Sequence, residues 1–91
     1  MALQEYFGET CPHCIVMKPM VEKLEKELGV TVEKFEVWNN DENAKKLETV
    51  DKGLCGGVPF FFNTENHQFI CGGTDEETLR AWMKGELESK Q

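Results

Sequence analysis

Cys11 and Cys14 stand with only Pro12 and His13 between them, a spacing at which two sulfurs can join in a disulfide or share one metal ion. In the redox case the working species is a thiolate, because the anion and not the thiol attacks a disulfide sulfur. A helix that begins at this point favours an anion on Cys11, since unpaired amides and the positive end of the helix dipole face it. His13 adds a nearby donor or positive charge that stabilises a thiolate further. Cys14, one turn deeper, is then placed to attack the mixed disulfide formed on Cys11, so that exchange is completed within one molecule.

The flanking sequence supplies the elements that hold this pair. Leu3 to Phe7 reads as a strand that ends at Gly8 and Thr10, which sets the cysteines at a strand-to-helix junction. Ile15, Met17, Met20, Val21, Leu24 and Leu28 recur at helical steps, and Gly29 stops them. Pro12 suits the first turn of that helix, whereas Pro19 falls in its interior and should kink it. Val30 to Trp38 reads as a strand whose phase slips between Val32 and Phe35, which predicts a bulge, with Trp38 in the core or at a sheet edge. Asn40 or Asp41 caps a second helix carrying Ala44, Leu47 and Val50. Val58 to Phe62 predicts a strand buried on both faces, its middle ring partly exposed, and a turn over Asn63 to His67 leads into a return strand from Gln68 to Cys71. Thr74 and Glu77 form a capping box for a last helix with Leu79, Trp82, Met83 and Leu87 on its apolar face. Its acidic residues, Asp75, Glu76, Glu77, Glu86 and Glu88, predict a solvated face.

The resulting order is β-α-β-α-β-β-α. Its first two strands are parallel and its last two form an antiparallel hairpin, so the expected fold class is α/β with a four-stranded mixed sheet and helices on both faces. With 91 residues, 40% of them apolar, the chain reads as one domain over residues 1–91, too short to divide its apolar residues between two domains. The net charge of −7 argues against phosphate backbones and anionic lipid, so neither nucleic acid nor a membrane is an expected partner. No run approaches the roughly 20 apolar residues of a membrane helix, and Met1 to Glu5 lacks the basic start and apolar run of a secretion signal. A cytoplasmic protein is therefore expected, or an organellar one should a targeting peptide belong to the full gene product.

Cys55 and Cys71 complete the cysteine inventory. Disulfide frameworks belong to loop-rich secreted domains without a good core, so a structural bridge is not expected here. A four-cysteine zinc site would recruit both, but their separation is not knuckle spacing. Cys71 is expected to be buried packing. His67 reads as an exposed turn residue without a special role.

Cys11-Pro12-His13-Cys14, with Pro19 five residues on and Val58-Pro59 opening a strand, resembles the thioredoxin superfamily over nearly the whole chain. The short chain and the Gly72-Gly73-Thr74-Asp75 run resemble glutaredoxins more than thioredoxins proper. The resemblance implies a thiol–disulfide oxidoreductase of the minimal thioredoxin-like fold, acting on protein or glutathione disulfides. Cys11 would be the attacking thiol, Cys14 the resolving one, and Pro12 and His13 their modulators. It further implies that Pro59 is cis, that Val58 offers its backbone to a bound peptide or glutathione, and that Gly72 to Asp75 hold the γ-glutamyl end. Cys55, four residues before Pro59, would then lie near the site and could be a regulatory thiol or a small loop filler. No resident cofactor or metal is required, glutathione is a candidate co-substrate, a dithiol system would recharge the pair, and a monomer is expected. A metal- or cluster-binding or sensing module, including an iron–sulfur cluster shared between chains, is the alternative. Thr10 stands where thioredoxins carry Trp, and Glu9 and Gly57 stand where glutaredoxins have Lys and Thr. A carboxylate in place of a cation weakens binding of glutathione's carboxylates.

Overall fold

The computed structural model describes residues 3–53 and 55–86. Their elements are β1 (Leu3–Phe7), α1 (Pro12–Leu28), β2 (Val32–Glu36), α2 (Asp41–Asp51), β3 (Phe60–Asn63), β4 (Phe69–Cys71) and α3 (Glu76–Met83). The sheet order is β2-β1-β3-β4, with β1 parallel to β2 and the other pairs antiparallel. This is the expected element order and the expected mixed sheet. No helix among the described residues is long and apolar enough to cross a membrane.

Each face of the sheet carries its own core. On one, Leu3, Val32 and Phe61 meet Met17, Val21 and Leu24 of α1 and Leu79, Trp82 and Met83 of α3. On the other, Tyr6, Val37 and Phe60 pack with Phe35 and with Ala44, Leu47 and Val50 of α2. Helices thus cover both faces, and an inward-pointing residue on β1 or β3 is enclosed whichever way it points.

This double burial corrects the reading of β2. The pairing of β1 with β2 runs residue for residue from Leu3↔Val32 to Phe7↔Glu36, without the expected bulge. The slip in apolar phase arises because Val30 and Val32 serve the α1 side while Phe35 and Val37 serve the α2 side. Trp38 lies beyond the strand and is 53% exposed, neither core nor sheet edge. In β3 the middle ring, Phe61, is fully buried, edge-on to Trp82, and the partly exposed ring is Phe62.

Helix ends follow local chemistry. α1 has Pro12 in its first turn and closes at Gly29, whose left-handed backbone (φ 66°) lets its N–H reach the Glu25 carbonyl. The helix runs continuously past Pro19, which faces solvent. Asn40 caps α2 by accepting from the Asn43 N–H. α3 is capped by Asp75, one residue later than the expected Thr74, with the carboxylate accepting from the Thr78 N–H at 2.8 Å. The acidic face of α3 is paired as well as solvated, since Glu76 meets both Lys23 and Arg80. Leu87 and Glu88 lie outside the described residues.

Candidate active site

The turn between β1 and α1 fixes the first cysteine. The Cys11 N–H donates to the Gly8 carbonyl at 3.1 Å, closing the turn. Cys11 is then the N-cap of α1, with extended backbone, and its Sγ accepts the Cys14 N–H at 3.2 Å. A sulfur standing where a capping oxygen would normally sit is aimed at by an otherwise unpartnered helix amide. Cys11 and Cys14 are both free and are nearly equal in burial, at 4% and 3% exposure. Cys14 is the more buried of the two, as expected, but only narrowly. Pro12 and His13, between them, are exposed.

The two sulfurs differ in what surrounds them. Burial, then a hydrogen bond to Cys11, pushes the Cys14 thiol up to about 12, and the negative charges of Cys11 and Glu5 act in the same direction against a backbone hydrogen bond from Gly8. Glu5 itself is 4% exposed on β1, beside Leu3 in the inward phase. Its burial raises the carboxyl to about 7, offset in part by Lys34, its partner across the parallel pair. A cavity of about 360 Å³ joins these groups, lined among others by Glu5, Cys14, Ile15, Lys18 and Lys34.

Sequence reasoning missed Glu5. The available signal was a carboxylate placed two residues after Leu3, on the strand face that the helix behind the cysteines must cover. Asp51 was missed too: this buried carboxylate accepts the N–H groups of Cys55 and Gly56 at 2.6 and 2.9 Å and so clamps the loop that leads to Pro59.

The residues implied by resemblance gather at the same end of the sheet. Val58-Pro59 is cis, and the Val58 carbonyl lies 3.9 Å from Cys11 Sγ. The Gly72 N–H donates to the Pro59 carbonyl at 2.8 Å, and Gly73 sits beside the His13 imidazole, 3.9 Å from where a Cβ would be. Thr74 and Asp75 follow directly, but the Asp75 carboxylate is engaged in capping. Hydrogen bonds from the Thr78 side chain and backbone hold it below the usual carboxylate range. Glu9 lines the same cavity as Cys14, and its carboxylate accepts from the Asn39 side chain at 2.9 Å.

Cys55 is not a free thiol, and Cys71 is not buried packing. The two are joined in a disulfide with Cα atoms 5.5 Å apart, half-buried at Cys55 and exposed at Cys71. The antiparallel β3/β4 ladder places Cys71 opposite Phe60, next to the loop that carries Cys55, a proximity that residue spacing alone does not reveal. The two extra sulfurs of a four-cysteine zinc site are therefore bonded to each other. His67 is exposed as expected, in left-handed backbone (φ 63°) with its ring stacked on Phe62.

No protein-family model matches the sequence, and no curated protein matches it. Solved structures do. A single-substitution mutant of thioredoxin from Halobacterium salinarum superposes with a TM-score of 0.71 at 25% identity, covering 99% of this chain and 77% of that one. A glutaredoxin from Archaeoglobus fulgidus gives a TM-score of 0.62 at 27% identity, covering 93% of this chain and 89% of that one. The chain is a small, glutaredoxin-like protein with the thioredoxin-superfamily fold, a fold that carries redox thiols.

Proposed function

We propose that the chain is a thiol–disulfide oxidoreductase in which Cys11 attacks, Cys14 resolves and Glu5 takes the proton that Cys14 must lose. The observation that carries this reading is the unequal setting of two free sulfurs on one helical turn. Cys11 receives a helix amide beside an open backbone edge at Val58, while Cys14 is held as a thiol over a buried carboxylate.

In the reducing direction the Cys11 thiolate attacks one sulfur of a substrate disulfide. The substrate S–S bond breaks, its electron pair leaves on the second substrate sulfur, and that sulfur takes a proton from solvent. Cys14 then gives its proton to Glu5 across the shared cavity, which is large enough to admit water between them. The Cys14 thiolate attacks Cys11 Sγ, the mixed disulfide breaks, and the first substrate sulfur departs as a thiolate. The protein is left with a Cys11–Cys14 disulfide, which an external dithiol must reduce. A carboxyl near 7 suits this proton transfer, because it is ready to accept above neutrality and to return the proton below it.

The Val58 carbonyl beside Cys11 favours an extended peptide, which can pair its backbone with this edge. Glu9 in place of a cation makes glutathione the poorer substrate. The test is reduction of insulin disulfides with dithiothreitol as the electron source. Steady turnover is expected, with Cys14→Ser accumulating a covalent complex through Cys11. A purified protein carrying bound iron or zinc with no turnover would overturn the reading.

A further inference from the structure

Exchange at Cys11 and Cys14 uses neither Cys55 nor Cys71, yet their disulfide lies within the wall of the same site. Cys55 begins the segment that ends in cis Val58-Pro59, and Cys71 is followed at once by Gly72, whose N–H holds the Pro59 carbonyl. One end of this bridge thus sits three residues from the carbonyl facing Cys11 Sγ, and the other two residues from the glycine beside His13. Each cysteine is followed by two glycines, Gly56-Gly57 and Gly72-Gly73. A Cβ built on Gly56, Gly57 or Gly72 would meet nothing, so no side chain crowds that surface, and Cys71 is exposed there.

We propose that Cys55/Cys71 is a second redox site, opened by small monothiols of the glutathione class, whose closed form fixes the backbone wall facing Cys11. A disulfide with one exposed cysteine is open to exchange in a way that an enclosed structural bridge is not. The external thiolate attacks the Sγ of Cys71, the exposed residue of the pair. The Cys55–Cys71 bond breaks, and its electron pair leaves on Cys55 Sγ, which takes a proton. A second external thiolate attacks the outer sulfur of the mixed disulfide and releases Cys71 as a thiolate, which is protonated in turn. Two monothiols have then been oxidised to one disulfide, and the protein has gained two thiols. Once the bridge is open, Cys55 and Gly56 keep the Asp51 clamp but lose their tie to β4.

Opening of this bridge does not depend on turnover at Cys11, and the experiment keeps the two apart. The full chain carrying Cys11→Ser and Cys14→Ser, which retains only the second pair, is equilibrated in mixtures of reduced and oxidised glutathione, then acid-quenched, alkylated and weighed. Two alkyl groups should appear together in one transition, with the far-UV circular dichroism unchanged. Amide exchange should then rise by about tenfold in residues 55–58 and 72–75 and stay constant elsewhere, the signature of a local loosening. A bridge that stays closed at every glutathione ratio and opens only in denaturant overturns the redox site. Opening without any change in exchange at those segments overturns its hold on the wall. Should the serine variant not fold, the same titration on the wild-type chain, with alkylated Cys55 and Cys71 identified by peptide mapping, distinguishes the same outcomes. Failure of insulin reduction by the wild-type chain touches only the first site.

Discussion

Cys11 and Cys14 lie on one helical turn, buried, free and backed by a carboxylate, whereas Cys55 and Cys71 are bonded from a loop to the end of β4, and Cys71 is exposed. The difference comes from the backbone around each pair. At the first, a helix start directs an amide at one sulfur, and a covered sheet places Glu5 under the other. At the second, glycines with open surroundings and the β3/β4 ladder bring two sulfurs into bonding range, and once bonded neither has a proton to lose. Spacing in the chain suggests which cysteines can pair, but tertiary placement decides which pair is held ready to react.

The largest expected effect comes from abolishing the asymmetry of the first pair. Cys11→Ser should lower insulin reduction by more than about a hundredfold, since a hydroxyl at the helix cap is not a competent nucleophile at neutral pH. Cys14→Ser should instead leave Cys11 able to attack and be trapped in mixed disulfides visible on a non-reducing gel. Equal residual activity in the two variants would mean that the sulfurs are interchangeable.

Glu5→Gln should come next, with turnover at pH 8 reduced by about a hundredfold, the lower end of what a positioned proton acceptor contributes. In the wild type the resolving step should speed up as pH rises through about 7, and the variant should lose that inflection. The same group carries a stability signature. Its folded value lies above the ordinary 4.5 of a glutamate, so the folded state binds the extra proton. The associated stability is fully present below pH 4.5, declines as pH rises and is gone once pH passes about 7. Urea unfolding at pH 4 and pH 8 should therefore differ by roughly 3 kcal/mol more in the wild type than in Glu5→Gln. Identical differences would show that Glu5 titrates as an ordinary carboxyl.

Much of this architecture was legible in the residues. The helix behind the cysteines, the parallel first pair of strands, the hairpin and the meeting of Val58-Pro59 with the cysteine turn all follow from local pattern or from resemblance. What stayed hidden depended on two faces being buried at once. The phase slip in β2 looked like a bulge because a single strand does not reveal that Val32 and Phe35 serve opposite cores. Glu5 looked like one more charge in an acidic chain, since enclosure becomes apparent only when α1 covers it. The Cys55–Cys71 bridge is not expected from composition because disulfides suggest poor cores, yet here it ties a loop to the end of β4 above a good one.

A smaller effect is expected where the second pair is held in position. Asp51→Ala removes the acceptor of two loop amides, leaving both to find water, at a cost of about 2 kcal/mol. Because Cys55 is one of those two residues, the variant should also open the bridge at a less reducing glutathione ratio. Unchanged midpoints in both urea and glutathione would show that the loop is held by the disulfide alone.

The finest test compares glycines on the two sides. Gly8 is buried beneath the Trp38 indole, and a Cβ there would collide with the ring, whereas a Cβ on Gly57 would meet nothing. Neither glycine has the left-handed backbone that penalises a side chain. Gly8→Ala should therefore cost about 1 kcal/mol, the low end for overpacking, because an exposed indole can swing outward where a core ring cannot. That swing should red-shift the tryptophan emission, since Trp82 is enclosed and unaffected. Gly57→Ala should fall within about 0.5 kcal/mol of the wild type, as an exposed substitution with open space does. If both alanines cost the same, or the emission does not move, the indole does not pack on Gly8, and the two glycines would be equally open.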